Sequence, residues 1–125
     1  MDNTFMDSVI YRKTIFIDID GTILKHHENL NKMVTDIPEI IPGVVDKFLE
    51  WRKKDYYIVI TTARVEGLRT ITTKQLNDVG LFYDQMVMGL PSGPRVLIND
   101  MKPDGANTAE AFCIERNSGI GNINV

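Results

Sequence analysis

The sequence predicts an α/β fold, a single three-layer domain spanning residues 1–125 whose parallel sheet of about five strands occupies roughly residues 14–114. Three observations predict it. Short β-branched and aromatic runs without polar alternation read as strands buried on both faces. These runs alternate with amphipathic stretches of helical period, the pattern of a parallel sheet with helices on its faces. At 125 residues the chain is long enough for one core and too short for two.

The elements follow in chain order. Residues 1–13 are a polar lead-in, and Thr14-Ile15-Phe16-Ile17 is the first strand, ending at Asp18. Residues 25–37 are polar and weakly periodic and read as a loop or flap. Pro42-Gly43 opens a helix over 44–54, with Val44, Val45, Phe48 and Leu49 facing inward and Asp46, Lys47, Glu50 and Lys53 facing out. The second strand, 56–60, runs into Thr61-Thr62-Ala63-Arg64. A second helix fits 66–79, its apolar positions being Leu68, Ile71, Leu76 and Val79, with Gly80 just past its end. Met86-Val87-Met88 is a third strand, 89–94 a turn rich in Gly and Pro, and Arg95-Val96-Leu97-Ile98 a fourth strand ending at Asn99-Asp100. A last strand at 111–114 precedes a tail rich in Gly and Asn.

Composition narrows the function. Fourteen basic against 17 acidic residues give a net charge of −3, which argues against a protein built to grip nucleic-acid backbone. The one cysteine, Cys113, excludes an internal disulfide and suits a reducing compartment. The longest apolar runs are about five residues, too short to span a membrane. The segment 1–7 lacks the basic start and apolar core of a secretory signal, so the expected location is the cytoplasm. No dinucleotide or nucleotide-loop glycine fingerprint occurs.

In a parallel sheet ligands bind at the carboxyl ends of the strands. Three of the proposed strands end there in reactive residues, at 18–20, 61–64 and 99–104, so these should converge. Asp18 and Asp20 stand one residue apart after a strand, and Gly21 permits the sharp turn that directs both at one site. Two close carboxylates raise each other's pKa unless a cation lies between them, and Mg²⁺ is the hard, oxygen-seeking guest that suits them. A solvated acidic turn would have the same letters. The preceding apolar strand and the third acidic cluster favour a site.

Ile15-Phe16-Ile17-Asp18-Ile19-Asp20-Gly21-Thr22 resembles the first motif of the haloacid dehalogenase superfamily of aspartate-nucleophile phosphatases. The resemblance extends over residues 14–114 and implies a Rossmann-like fold, without a cap domain given the short stretch between Thr22 and Pro42. It implies that Asp18 attacks phosphorus and that Asp20 protonates the leaving group and then activates water. Thr62 matches the hydroxyl of the second motif, with Thr61 as the alternative, and Thr-Thr after a strand also reads as a turn or helix cap. Arg64 has two readings, substrate contact or an ion pair with Glu66. Asp100 and Asp104 match the acids that complete a metal site with Asp18 and Asp20. Gly21, Thr22, Thr61, Ala63, Arg64 and Arg95 are the candidate substrate contacts.

Where the family carries a lysine, Gly89-Leu90-Pro91 offers none. Lys102, at the active edge beyond Asp100, is preferred as the substitute cation over Arg95, which as the first residue of a strand would sit at the far edge. The resemblance thus implies a Mg²⁺-dependent phosphatase acting on a small phosphorylated substrate such as a phosphosugar, with an open site that suits either a bulky substrate or closure by a second copy of the chain. The rival readings are a macromolecular phosphate as substrate, a receiver-type signalling domain, and a module that has lost turnover.

Overall fold

The computed structural model describes residues 12–35 and 37–125; most of the polar lead-in, residues 1–11, and Asp36 of the flap lie outside that range. Three strands form a parallel sheet in the order β1 (Thr14–Ile17), β2 (Tyr57–Thr61), β3 (Gln85–Val87). The register sets Ile17 beside Ile60 and Thr61 beside Val87, which brings the carboxyl ends of all three strands to one edge. Ile58, Val59 and Ile60 are buried, as their unbroken apolar run predicts. β1 departs from that pattern. As an edge strand among the described residues it buries Ile17 and leaves Phe16 56% exposed.

Between β1 and β2 lie a six-residue helix in the flap, α1 (Leu30–Thr35), and α2 (Val44–Lys53). The flap was expected as loop throughout, and α1 buries none of its side chains. α2 buries Val44, Lys47, Phe48 and Trp51, so its inward face is turned from the predicted one. Leu49 is exposed, whereas Lys47 lays its aliphatic stem inward and extends its ammonium to Asn124 Oδ1 (3.3 Å) and Glu50 (3.2 Å). The helix predicted over 66–79 is a 3₁₀ turn, Glu66–Leu68, continued by α3 (Arg69–Asp78), with Gly80 beyond it at φ +81°.

The predicted strands at 95–98 and 111–114 are not formed, and the sheet has three strands among the described residues rather than about five. Pro94 lacks an N–H, and Arg95 turns its guanidinium back onto the carbonyls of Pro91 (3.0 Å) and Gly93 (2.7 Å). The segment therefore curls on its own turn, and Val96 and Ile98 remain 82% and 90% exposed. The buried apolar side chains form a cluster running from Ile17, Ile19 and Ile23 through Phe48, Trp51 and Ile60 to Leu76, Met86 and Ile120. No helix among the described residues is long and apolar enough to cross a membrane.

Candidate functional site

The chain leaves β1 into a tight loop organised on one carbonyl. The N–H groups of Thr22 (3.1 Å), Ile23 (2.8 Å) and Leu24 (3.0 Å) all donate to the Ile19 carbonyl, and Gly21 N–H donates to Leu24 O at 2.7 Å. Ile19 and Ile23 are fully buried, which anchors the loop and leaves the two aspartates flanking Ile19 partly open. Gly21 makes the reversal at φ +93°, and a Cβ there would stand 3.0 Å from Arg116 Cγ. Gly21→Ala should therefore cost about 1 kcal/mol or more of stability, as a urea denaturation curve would show.

The loop is also tied to the far end of the chain. Asn117 N–H donates to Gly21 O (2.8 Å), and Asn117 Oδ1 accepts from His26 N–H (2.8 Å). Asn117, in the tail rich in Gly and Asn, thus holds the loop in place.

At the end of β2 two of the three segments expected to converge, 18–20 and 61–64, meet. Arg64 is fully buried and forks Asp20, with Nε to Oδ2 at 2.9 Å and Nη2 to Oδ1 at 2.8 Å. Its third nitrogen, Nη1, donates to Thr72 Oγ1 (3.0 Å) and Gln75 Oε1 (2.6 Å) on α3. The ion pair with Glu66 read from the sequence is not made; Glu66 pairs with Arg69 at 2.8 Å. A planar guanidinium matches a carboxylate in two places, whereas Glu66 lies out in solvent. Thr62 is 1% exposed, and its Oγ1 accepts from Arg64 N–H at 3.0 Å, so it acts as a turn cap and does not present its hydroxyl to solvent. Thr61 is half-buried and Ala63 exposed beside it.

The turn after β3 docks on this edge, with Gly89 N–H on Arg64 O (2.7 Å) and Leu90 N–H on Thr62 O (3.1 Å). Arg95, just beyond this turn, places its charge where it favours the ionised Asp18 carboxyl. The preference for Lys102 assumed that Arg95 begins a strand, and with that strand unformed the distance argument against Arg95 falls. Lys102 sits half-buried in a separate turn, closed by Lys102 N–H on Ala106 O (3.1 Å), Asn99 Nδ2 on Thr108 O (3.2 Å) and Thr108 Oγ1 on Asp100 O.

The acids of the fourth cluster are not gathered with those of the first into a metal-binding group among the described residues. Asp100 and Asp104 are exposed, Asp104 Oδ1 accepting from Ala106 N–H at 2.9 Å. Among the described residues no three acid, His or Cys groups are gathered as a metal ion would need. With Asp20 committed to Arg64, Asp18 is the one carboxylate of this loop not held by an arginine fork, and the donor set as arranged does not fit Mg²⁺.

Burial pushes the Asp18 carboxyl above its ordinary pKa; the Ile19 N–H works against this, Asp20 adds to it, and Arg95 and His26 oppose it. A carboxyl raised in the folded state favours folding below the unfolded carboxylate range, and that contribution is lost as pH rises through the folded value. At neutral pH the ionised Asp18 thus weighs against the fold. In metal-free buffer Asp18→Asn should melt higher than the wild type at pH 7, with a smaller gap at pH 4. An equal gap at both pH values would refute the assignment.

Sequence reading missed Thr72 and Gln75. The signal was present, since both lie on the Leu76 face of α3, where two polar residues at helical spacing imply a buried polar partner.

No family model and no curated protein matches the chain. Solved structures similar to it include a D,D-heptose 1,7-bisphosphate phosphatase from B. bronchiseptica complexed with magnesium and phosphate. That likeness has a TM-score of 0.47 and 22% identity, over 66% of this chain and 51% of the other. A protein from Vibrio cholerae is similar at a TM-score of 0.49 and 20% identity, over 74% of this chain and 85% of the other. The chain thus spans about half the length of the first. Likeness at this level says nothing of this chain's substrate.

Proposed function

We propose that the chain is a phosphate monoester hydrolase in which Asp18 is the nucleophile and Asp20 the acid and base. The observation that carries the reading is the meeting, at one sheet edge, of the Asp18–Asp20 loop with the Arg64 turn. In the first step an Asp18 oxygen bonds to phosphorus while the bond from phosphorus to the leaving oxygen breaks, and Asp20 gives that oxygen a proton. In the second, Asp20 takes a proton from water, whose oxygen attacks phosphorus and releases phosphate and the Asp18 carboxylate. The Arg64 fork uses one lone pair on each Asp20 oxygen and leaves another on each for the proton. Thr61 is the hydroxyl proposed to hold a phosphoryl oxygen, and Gly21, Thr22 and Ala63 are the neighbouring contacts. Arg95 is the cation proposed to face the phosphoryl charge.

Magnesium enters this reading through the sequence, from the paired Asp18 and Asp20 and from the resemblance, with Asp100 and Asp104 as the further ligands the resemblance implies. No step above depends on it. A calorimetric titration with Mg²⁺ tests the assignment: affinity lost in Asp100→Ala would bring that turn to Asp18, and unchanged affinity would leave it out. A small phosphorylated metabolite, a phosphosugar among them, is the proposed substrate class.

The deciding experiment is a screen of phosphate monoesters, with and without Mg²⁺, on the wild type and Asp18→Asn. Turnover present in the first and absent in the second supports the reading. A chain inactive throughout the screen would favour the non-catalytic module.

A further inference from the structure

Arg64 does not stop at Asp20. Gln75 Oε1 accepts from Arg64 Nη1 at 2.6 Å, and Gln75 Nε2 donates to the main-chain carbonyl of Met33 in α1 at 2.6 Å. The orientation of this amide is dictated by its neighbours, since a guanidinium only donates and a carbonyl only accepts. A continuous polar chain thus runs from the Asp20 carboxylate through Arg64 and Gln75 to the flap helix. Gln75 is 3% exposed and every link is closed. α1 buries no side chain of its own, so apolar packing contributes little to its position and the bond from Gln75 contributes much. The flap in turn forms one wall of a narrow cleft whose floor is Asp20, Arg64 and Gln75 and whose flap side includes Lys25, His27 and Met33.

We infer that Gln75 is a positioning residue, coupling the flap that covers this cleft to the orientation of the Asp20 carboxylate. The inference rests on the reading of Asp20 as the acid. The cleft measures only about 10 Å³, room for one water. A leaving group receiving a proton from Asp20 must therefore move the flap to lie there, and the flap that admits it and the acid that protonates it are set by one amide. A flap displaced by a substrate too large to fit would pull on Gln75 and slacken the Arg64 fork. Correct closure would tighten it. The coupling therefore acts on substrates that need an acid and spares those that do not.

Two substitutions separate the halves of the relay. Gln75→Glu keeps an acceptor for Arg64 and loses the donor to Met33; Gln75→Met has similar length and loses both. Kinetics are read on an aryl phosphate, whose leaving group departs unaided, and an alkyl phosphate, which needs a proton. Amide exchange over residues 30–35 is followed in parallel. Gln75→Glu should speed exchange in the flap and raise KM more than it lowers kcat. Gln75→Met should also lower kcat on the alkyl phosphate on the order of tenfold more than on the aryl one.

Equal losses on both substrates with unchanged flap exchange would overturn the coupling, as would no change in either variant. Should Gln75→Met not fold, the exchange and KM of Gln75→Glu decide alone. Failure of the underlying reading looks different, because wild-type turnover would then be absent or would survive in Asp18→Asn, while exchange in the flap still reports the Met33 bond.

Discussion

Asp18→Asn is expected to remove turnover, by roughly four orders of magnitude or more, while leaving the protein folded. The amide matches the carboxylate in volume and keeps an oxygen to accept from the Ile19 N–H. What it lacks is the anionic oxygen that the proposed mechanism bonds to phosphorus. The same change relieves a half-buried charge, so inactivity cannot be blamed on a weakened fold. The check is turnover of the best substrate of the screen, beside the melting temperature of both proteins. Rapid-quench labelling of the wild type should show phosphate on protein, stable to acid and lost to hydroxylamine, and no label on the variant. Wild-type turnover in Asp18→Asn would sink the covalent mechanism.

Arg64→Met is expected to be the most damaging single change to stability in this region, costing about 3–5 kcal/mol. The substitution leaves Asp20 charged, at 14% side-chain exposure, with no partner for its two oxygens, and strips a donor from Thr72 and Gln75. Removing both charges together should restore much of the loss, since the larger cost lies in the orphaned carboxylate. Arg64→Met with Asp20→Asn would then be more stable than Arg64→Met alone, and the two effects would be far from additive in urea denaturation. Arg64→Lys should fall between, because one ammonium cannot fork a carboxylate and reach α3 as well. Additive single effects would mean that the fork contributes nothing as a pair.

Much of the first half of this arrangement was legible. An apolar run broken by Asp18-Ile19-Asp20-Gly21 announces a strand ending in a turn, and the run at 57–60 announces its neighbour. Parallel pairing of those two then brings Asp20 and Arg64 to one edge. What the letters did not reveal were contacts decided by competition. Arg95-Val96-Leu97-Ile98 has strand composition, yet its arginine finds carbonyls in its own turn. In α2 the choice between Leu49 and Trp51 as core residue turns on helix rotation, and a lysine stem long enough to reach Asn124 lets Lys47 lie inward. Arg64 had two possible partners in the sequence, and burial chose Asp20 over Glu66 because an exposed acid offers an arginine little.

The bond from Asn117 to Gly21 also has a meaning in time. As the chain is synthesised, the Asp18–Asp20 turn emerges early and the residue that clasps it emerges 91 positions after His26, the clasp's other contact. β1 must likewise wait for β2, since parallel partners need a long crossover between them. A nascent chain that has not yet reached Asn117 holds the two aspartates on an unclasped loop. The clasped form of this loop therefore exists only once synthesis has passed Asn117, and fragments that stop before it should carry the two acids on an unclasped loop.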